Sequence, residues 1–193
     1  ATMHLIRLGH RRIAHIRGSL EPNPAKPKRY YEETYQFRIW NDRLGGYLDA
    51  MREAGLEVRS EYVVEGDGTS EGGVQGGYRA GRELMALKER PTAIYAGNDL
   101  MAAGAMRAVY EAGLRVPRDV SIVGHDSIEL SEAVWPELTS VQQPRYEIGR
   151  LAAKLLIEAG RDGRSRTVLL RPELVIRAST APPSGKTGGG SAR

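Results

Sequence analysis

Residues 91–126, PTAIYAGNDLMAAGAMRAVYEAGLRVPRDVSIVGHD, contain the pattern that decides the fold. An apolar run of strand length, residues 91–96, leads into a helical stretch at residues 100–111. A second apolar run, residues 120–123, follows the turn at Gly113. Strands that alternate with helices of about 10–15 residues are typical of β-α-β units. The segment therefore predicts two parallel strands joined by a crossover helix.

The same alternation continues on both sides of this unit. Glycine and proline end the predicted segments, and apolar residues recur at strand or helix spacing between them. The chain is therefore predicted to form an α/β fold with a mainly parallel sheet flanked by helices. The further predicted elements are helices at 3–8, 41–54, 72–89 and 146–159 and strands at 12–16, 61–64, 139–141, 167–170 and 173–176.

Two segments are predicted to lie outside this alternation. Residues 19–40 carry three prolines before a group of aromatic residues, and proline disfavours both helix and central strand. We therefore expect a long surface loop that runs into an aromatic stretch. Residues 181–193, APPSGKTGGGSAR, have little apolar surface to bury and are predicted to be a disordered tail.

Composition excludes several classes of protein. The chain has 193 residues and no cysteine, which excludes a disulfide scaffold, a thiolate metal site and a cysteine nucleophile. No apolar run approaches the roughly 20 residues that a membrane-spanning helix needs. The net charge of +4 is small for this length. The basic clusters at 7–17 and 26–29 show no helix-turn-helix or RNA-binding pattern, so they are interpreted as solvated faces.

A candidate binding site follows from the end of each predicted strand. Ligands of open parallel sheets bind beyond the carboxyl ends of the strands, where Asn98, Asp99 and Asp126 are expected. Amide and carboxylate groups there can hold a hydroxylated or heterocyclic small molecule. Asp99 is expected to cap the following helix, and Asn98 could either cap it or face a ligand. Asp126 could either form a turn or contact a ligand.

No catalytic, metal or cofactor site is predicted. The spacing of His4, His10 and His15 matches no zinc pattern, so they are interpreted as solvated or core histidines. His125 could serve either packing or a pocket. The glycines at 72–77 lack the phosphate-loop pattern, and no nucleophile elbow is present.

Six motifs follow one another along the chain and span nearly all of residues 3–180. They are HLIRLGHRRIA at 4–14, RPTAI at 90–94, NDLMAAGA at 98–105, GLRVPRDVSIVGHD at 113–126, PELTSV at 136–141 and RPELVIRAST at 171–180. In their order and near-family spacing, these motifs resemble the LacI/GalR family of bacterial transcription regulators.

The resemblance implies a type I periplasmic-binding-protein-like fold, in which two α/β subdomains close on a small ligand behind an N-terminal DNA-binding head. The chain is expected to begin within the second subdomain, so that head and most of the first subdomain would be missing. Residues 1–144 would form the C-terminal effector-binding subdomain and 167–180 its closing strands. Residues 145–166 would be a helix that returns to the missing subdomain, and its apolar face is expected to be exposed or to dimerise.

The resemblance also implies which residues contact the effector. Asn98 and Asp126 fall on effector-contacting positions of the family. Arg43 resembles the family's ligand-binding arginine, although a surface arginine at a helix start is the alternative. Gln143 lies at the crossover and is a further candidate.

One departure from the family pattern concerns an aromatic ring. Members that stack a ring on the ligand often carry an aromatic residue after the Gly-Asp turn, but here Gly68 follows Gly66 and Asp67. We therefore expect Trp40, or one of the aromatic residues at 35–37, to supply the stacking surface. The alternative is that this segment packs on itself as a flap.

Three functions remain open from the sequence. The first is the effector-sensing part of a cytoplasmic, homodimeric LacI-type regulator that binds a sugar or related metabolite and contacts DNA through its missing head. The second is a periplasmic sugar-binding protein of the same fold. The third is an α/β enzyme, which the lack of a catalytic arrangement disfavours.

Overall fold

Six strands form one sheet in the described part of the chain, in the order β2-β1-β3-β4-β5-β6. The computed structural model describes residues 1–19, 35–67, 73–162 and 166–184. The strands are β1 (Ile13–Arg17), β2 (Val63–Glu65), β3 (Ala93–Ala96), β4 (Ser121–Asp126), β5 (Thr139–Gln142) and β6 (Glu173–Val175). The helices are α1 (Thr2–Arg7), α2 (Tyr35–Glu53), α3 (Gly73–Ala86), α4 (Asp99–Glu111), α5 (Leu130–Ala133) and α6 (Arg145–Asp162), and a 3-10 turn spans Ser60–Tyr62.

The sheet confirms the predicted α/β class. Strands β1 to β5 are parallel, and β6 pairs antiparallel with β5. The register places Tyr95 of β3 opposite Val123 of β4, and His125 of β4 opposite Val141 of β5. Because side chains alternate between the faces of a strand, these four side chains lie on the same face of the sheet.

Helices cover both faces of the sheet and form two apolar cores. Helices α3 and α4 pack on one face, where Leu84, Met101 and Ile122 are fully buried. Helices α1 and α2 pack on the other face, over a core that includes Leu5 and Met51. The sheet is therefore shielded on both sides, as parallel sheets require.

Helix α2 corrects the prediction of a loop up to residue 40. It begins at Tyr35, six residues before the expected start at Asn41. The last proline of the segment is Pro27, so nothing in the sequence prevents helix from residue 35 onward. Residues 20–34, which make up most of the expected loop, lie outside the described residues.

Two predictions near the carboxyl end are wrong in part. Residues 167–170 form no strand, and Leu169 is 92% exposed, so the apolar run there has no sheet partner. The prediction of disorder from residue 181 is wrong for Ala181, whose carbonyl accepts a hydrogen bond from His10 Nε2 at 2.9 Å. Ser184 Oγ also donates to the carbonyl of Arg118 at 2.8 Å, whereas residues 185–193 lie outside the described part.

Helix α6 exposes apolar side chains, as the family resemblance led us to expect. Tyr146 is 79% exposed and Leu156 is 76% exposed. The return of this helix to a further subdomain stays a prediction. Among the described residues, no helix combines the length with the hydropathy that a membrane span requires.

Candidate functional site

Arg43 and Asp126 meet at the carboxyl end of the sheet. Helix α2 carries Arg43 across this edge, and Asp126 is the last residue of β4. Arg43 Nη2 donates to Asp126 Oδ1 at 2.9 Å, and its Nη1 donates to the carbonyl of Gly97 after β3. The Arg43 side chain is only 10% exposed, whereas that of Asp126 is 33% exposed. A buried guanidinium is thus fixed by two acceptors, one of which remains accessible to solvent.

Gln143 and Trp40 complete this polar cluster. Gln143 Nε2 donates to the same Asp126 Oδ1 at 3.4 Å. The Trp40 ring lies with its centroid 5.1 Å from the Arg43 guanidinium carbon, a cation–π arrangement. A Cβ on Gly18 would lie 2.2 Å from Trp40 Cε2, so the indole packs directly on the backbone at the end of β1.

Asn98, rather than Asp99, caps helix α4. Asn98 is the N-cap, and its Oδ1 accepts from the Met101 amide at 2.8 Å. The prediction that Asp99 caps the helix is therefore wrong. Its buried carboxylate reaches across to β5 and the loop after β4, where it accepts from Ser140 Oγ at 2.5 Å and the Ile128 amide at 2.8 Å. Because Asn98 Oδ1 is engaged in the cap, its contribution to binding stays a prediction.

The backbone after β4 adopts a conformation that L-residues rarely adopt. Asp126 has φ +98° and Ser127 has φ +46°. Non-glycine residues in such conformations cost about 1–3 kcal/mol each and persist when the surrounding structure holds them. Two hydrogen bonds hold Ser127 in place. Its amide donates to Ser140 Oγ at 3.1 Å, and its carbonyl accepts from Arg145 Nη2 at 3.2 Å.

A cavity of about 430 Å³ adjoins the polar cluster between α1, α2 and the sheet. Its lining includes Arg43, Gln143, Tyr95 and His125. The Tyr95 hydroxyl and His125 Nδ1 form a hydrogen bond of 2.9 Å. Burial, with the positive charge of Arg43 as a second cause, lowers the pKa of His125 to about 4, so its ring is neutral at pH 7. Of the two roles left open for His125, the structure therefore favours the pocket.

His15 lies fully buried beneath this cavity, between two tyrosine rings. Its ring stacks on Tyr47 at 5.3 Å and on Tyr95 at 4.8 Å between centroids. His15 Nδ1 donates to the Tyr95 carbonyl at 2.9 Å. Burial lowers the pKa of His15 to about 4. His15 and the equally buried His10 are thus core histidines, as expected. In the described part of the chain, no cluster of three or more potential metal-ligating side chains occurs.

Burial also shifts the pKa of Asp99. The carboxyl group is desolvated, which raises its pKa to about 6 even though the Ser140 and Ile128 hydrogen bonds favour the charged form. Gly124 makes room for this carboxylate, because a Cβ there would lie 2.3 Å from Asp99 Oδ1.

Sequence reasoning identified part of this arrangement. Arg43, Asp126, Gln143 and Trp40 were all expected at the site, and the structure brings these four together at one edge. The aromatic residues at 35–37 and Gly68 cannot be compared, because Gly68 and the side chains at 35–37 lie outside the described residues. Tyr95 was missed, although its place in an apolar strand whose carboxyl end carries the expected site residues was a usable signal.

Most of the chain is similar to a known protein family. The model of the periplasmic binding protein-like domain family matches residues 2–180. The HTH-type transcriptional repressor PurR of Erwinia tasmaniensis is 38% identical over 183 residues, which are 94% of this chain and 48% of that protein. The chain therefore spans about half the length of the curated relatives it matches.

Two solved structures show the same relationship. The transcriptional regulator CelR in complex with cellobiose superposes with a TM-score of 0.77 and is 34% identical, over 93% of this chain and 50% of that one. The dimeric Lac repressor with an 11-residue C-terminal deletion has a TM-score of 0.79 and 29% identity, over 94% of this chain and 60% of that one. These relatives are regulators, which favours a regulator over a periplasmic carrier. The chain belongs to the periplasmic binding protein-like domain family and is homologous to the LacI-family repressors.

Proposed function

We propose that this chain is the effector-sensing part of a LacI-type transcriptional regulator and that the effector binds at Arg43 and Asp126. The observation that carries the proposal is the Arg43–Asp126 ion pair, which lies at the carboxyl edge of the sheet under the Trp40 ring. A largely buried donor and a partly exposed acceptor form a small polar anchor beside an open cavity of about 430 Å³.

The chemistry of this anchor favours a sugar or a related hydroxylated metabolite. A hydroxyl group can donate to the Asp126 carboxylate and at the same time accept from the Arg43 guanidinium, so a ligand can replace the contact between them. Gln143 adds an amide that donates and accepts. The Trp40 face can pack on the apolar C–H surface of a sugar ring. Cellobiose is bound by the related CelR, which supports the sugar class.

Partners and location follow from the regulator function. Relatives are named HTH-type repressors, which supports a DNA-binding head acting in the cytoplasm, and the related Lac repressor structure is dimeric, which supports a homodimer. Ligand binding would shift the population towards a closed arrangement of two subdomains and so change the affinity for DNA. Helix α6, with its exposed apolar face, is then the element that packs on the other subdomain. Sensing needs no chemical step, and we propose no catalytic role.

A ligand panel on the full-length protein tests the proposal. Sugars, sugar phosphates and purines are added at saturation, and one class is expected to raise the melting temperature by about 5 °C, since ligand at 100 times its Kd adds ~2.7 kcal/mol. Asp126→Asn should abolish this shift, because an amide cannot replace the carboxylate opposite Arg43. Glu53→Gln, an exposed change on the same helix as Arg43, is the matched control and should respond as wild type.

Two outcomes would contradict the proposal. If none of the compound classes raises the melting temperature, the chain does not sense these metabolites. If Asp126→Asn responds like Glu53→Gln, the site lies elsewhere. Trp40→Ala separately tests the stacking surface, and an unchanged affinity there would contradict that part.

A further inference from the structure

The turn that presents Asp126 is held by one buried carboxylate. Asp99 Oδ2 accepts from the Ile128 amide at 2.8 Å, so it fixes the backbone two residues after Asp126. Asp99 Oδ1 accepts from Ser140 Oγ, which in turn accepts from the Ser127 amide at 3.1 Å. Both amides that follow Asp126 are therefore tied, directly or through one hydroxyl, to the same side chain.

This connection coincides with the strained part of the backbone. Asp126 and Ser127 both have positive φ, and neither is a glycine. Such a pair tends to relax to an ordinary turn unless neighbouring groups fix it. The missing Cβ at Gly124 is what lets Asp99 reach the loop. Asp99 is 1% exposed and its hydrogen bond with Ser140 is buried, so that bond is shielded from competing water.

Two arginines hold the other atoms of Ser127. Arg177 Nη2 donates to Ser127 Oγ at 3.3 Å, and Arg145 Nη2 donates to its carbonyl at 3.2 Å. Arg145 is exposed, and Arg177 also forms an ion pair with the exposed Glu132. The connection that is buried throughout is therefore the one from the Ser127 amide through Ser140 Oγ to Asp99.

We propose that Asp99 is a positioning residue of the effector site, which holds the Asp126–Ser127 turn so that the Asp126 carboxylate meets Arg43. The proposal rests on the effector-binding function proposed above, because it explains how that site is assembled before the ligand arrives. Preorganisation of this kind removes an ordering cost from binding. Asp99 itself lies beneath the site and acts through Asp126.

The test uses ligand-free readouts, so it does not depend on finding the effector. In the full-length protein, Asp99→Ala should accelerate hydrogen exchange of the peptide that spans Ser127 and Ile128 at least tenfold, measured by mass spectrometry. A crystal structure of the variant should show the Arg43–Asp126 ion pair broken. Ser140→Ala removes only the link from the Ser127 amide through Ser140 Oγ to Asp99, so it should accelerate the exchange less. This variant replaces Asp99→Ala in the test if Asp99→Ala fails to fold.

A rescue and a control separate positioning from general stability. Ser127→Gly added to Asp99→Ala should restore the ion pair, because glycine adopts positive φ without strain. Ser179→Ala, which removes buried hydrogen bonds away from this turn, should leave the peptide's exchange unchanged relative to the rest of the protein. An intact ion pair and wild-type exchange in Asp99→Ala would overturn the proposal, even if the ligand panel succeeds. Failure of the rescue would show that Asp99 serves only the stability of the fold.

Discussion

Replacing a glycine by alanine where α3 and α4 contact each other is expected to lower the stability of the fold strongly. A Cβ on Gly104 of α4 would lie 2.0 Å from the carbonyl oxygen of Val74 and 2.5 Å from the amide nitrogen of Tyr78. Both are backbone atoms of α3, so no side-chain rotation can relieve the overlap. Gly77 makes the reciprocal contact, since its Cβ would lie 2.1 Å from the Met101 carbonyl oxygen. Gly104→Ala must therefore push the two helices apart by roughly 1.5 Å, the difference from an ordinary contact of about 3.5 Å.

The magnitude follows from two opposing terms. Alanine in place of glycine inside a helix stabilises by about 1 kcal/mol. Overpacking a core costs about 1–3 kcal/mol, and more where backbone must move. Here backbone must move along a helix pair that buries Leu84 and Met101, so we expect a net loss of about 2 kcal/mol in the free energy of unfolding.

Urea unfolding followed by far-UV circular dichroism measures this loss. Gly45→Ala in α2 is the matched control, because a Cβ at Gly45 meets no atom within 4 Å. Only the propensity gain applies there, so Gly45→Ala should be stabilised by up to about 1 kcal/mol. If Gly104→Ala is as stable as Gly45→Ala, the argument that the α3 and α4 backbones lie in close contact at Gly104 is wrong.

The remaining predictions concern buried hydrogen-bonding groups. His15 has its pKa lowered to about 4, so the folded state binds fewer protons than the unfolded state between pH 4 and 6.5, and stability falls as the pH is lowered through that range. His15→Phe should therefore shrink the difference in unfolding free energy between pH 7 and pH 5 by about 2 kcal/mol, and an unchanged difference in urea melts would contradict the shift. Ser179 Oγ accepts from the Thr139 amide at 2.8 Å and donates to the Ile122 carbonyl at 2.6 Å, both buried. Ser179→Ala should cost about 2 kcal/mol by thermal denaturation, whereas Ser184→Ala, which loses an exposed hydrogen bond, should cost under about 0.5 kcal/mol; equal losses would refute the argument.

Local patterns predicted most of the elements but not all of their limits. Apolar runs of strand length identified β3 and β4, because buried parallel strands are apolar on both faces. The predicted start of α2 lies six residues too late, because the prolines at 22–27 restrict only their immediate neighbours and leave residue 35 free to be helical. Residues 167–170 have strand-like composition, but a strand needs a partner, and no strand of the described sheet pairs with this run.

The candidate site, like the fold, could be predicted only in part from the sequence. The ends of strands placed Asp126 and Asn98 at one edge, and the family resemblance added Arg43, Gln143 and Trp40. Neither the strand ends nor the resemblance predicted that Asn98, rather than Asp99, would cap helix α4. Both residue types are favourable caps, so sequence cannot choose between them. The choice depends on Gly124 and Ser140, which lie 25 and 41 residues further along the chain and offer the Asp99 carboxylate a buried space and a donor.

The sequence by itself determined the α/β class and the edge of the sheet at which polar side chains would gather. Both follow from short-range periodicity and from the direction in which parallel strands run. Only the tertiary structure decided that Arg43 pairs with Asp126, that His15 stacks between two tyrosines, and that Asp99 supports the strained turn. These contacts join residues about 30 to 80 positions apart, and their energies depend on distance and burial, which arise only when the helices pack on the sheet.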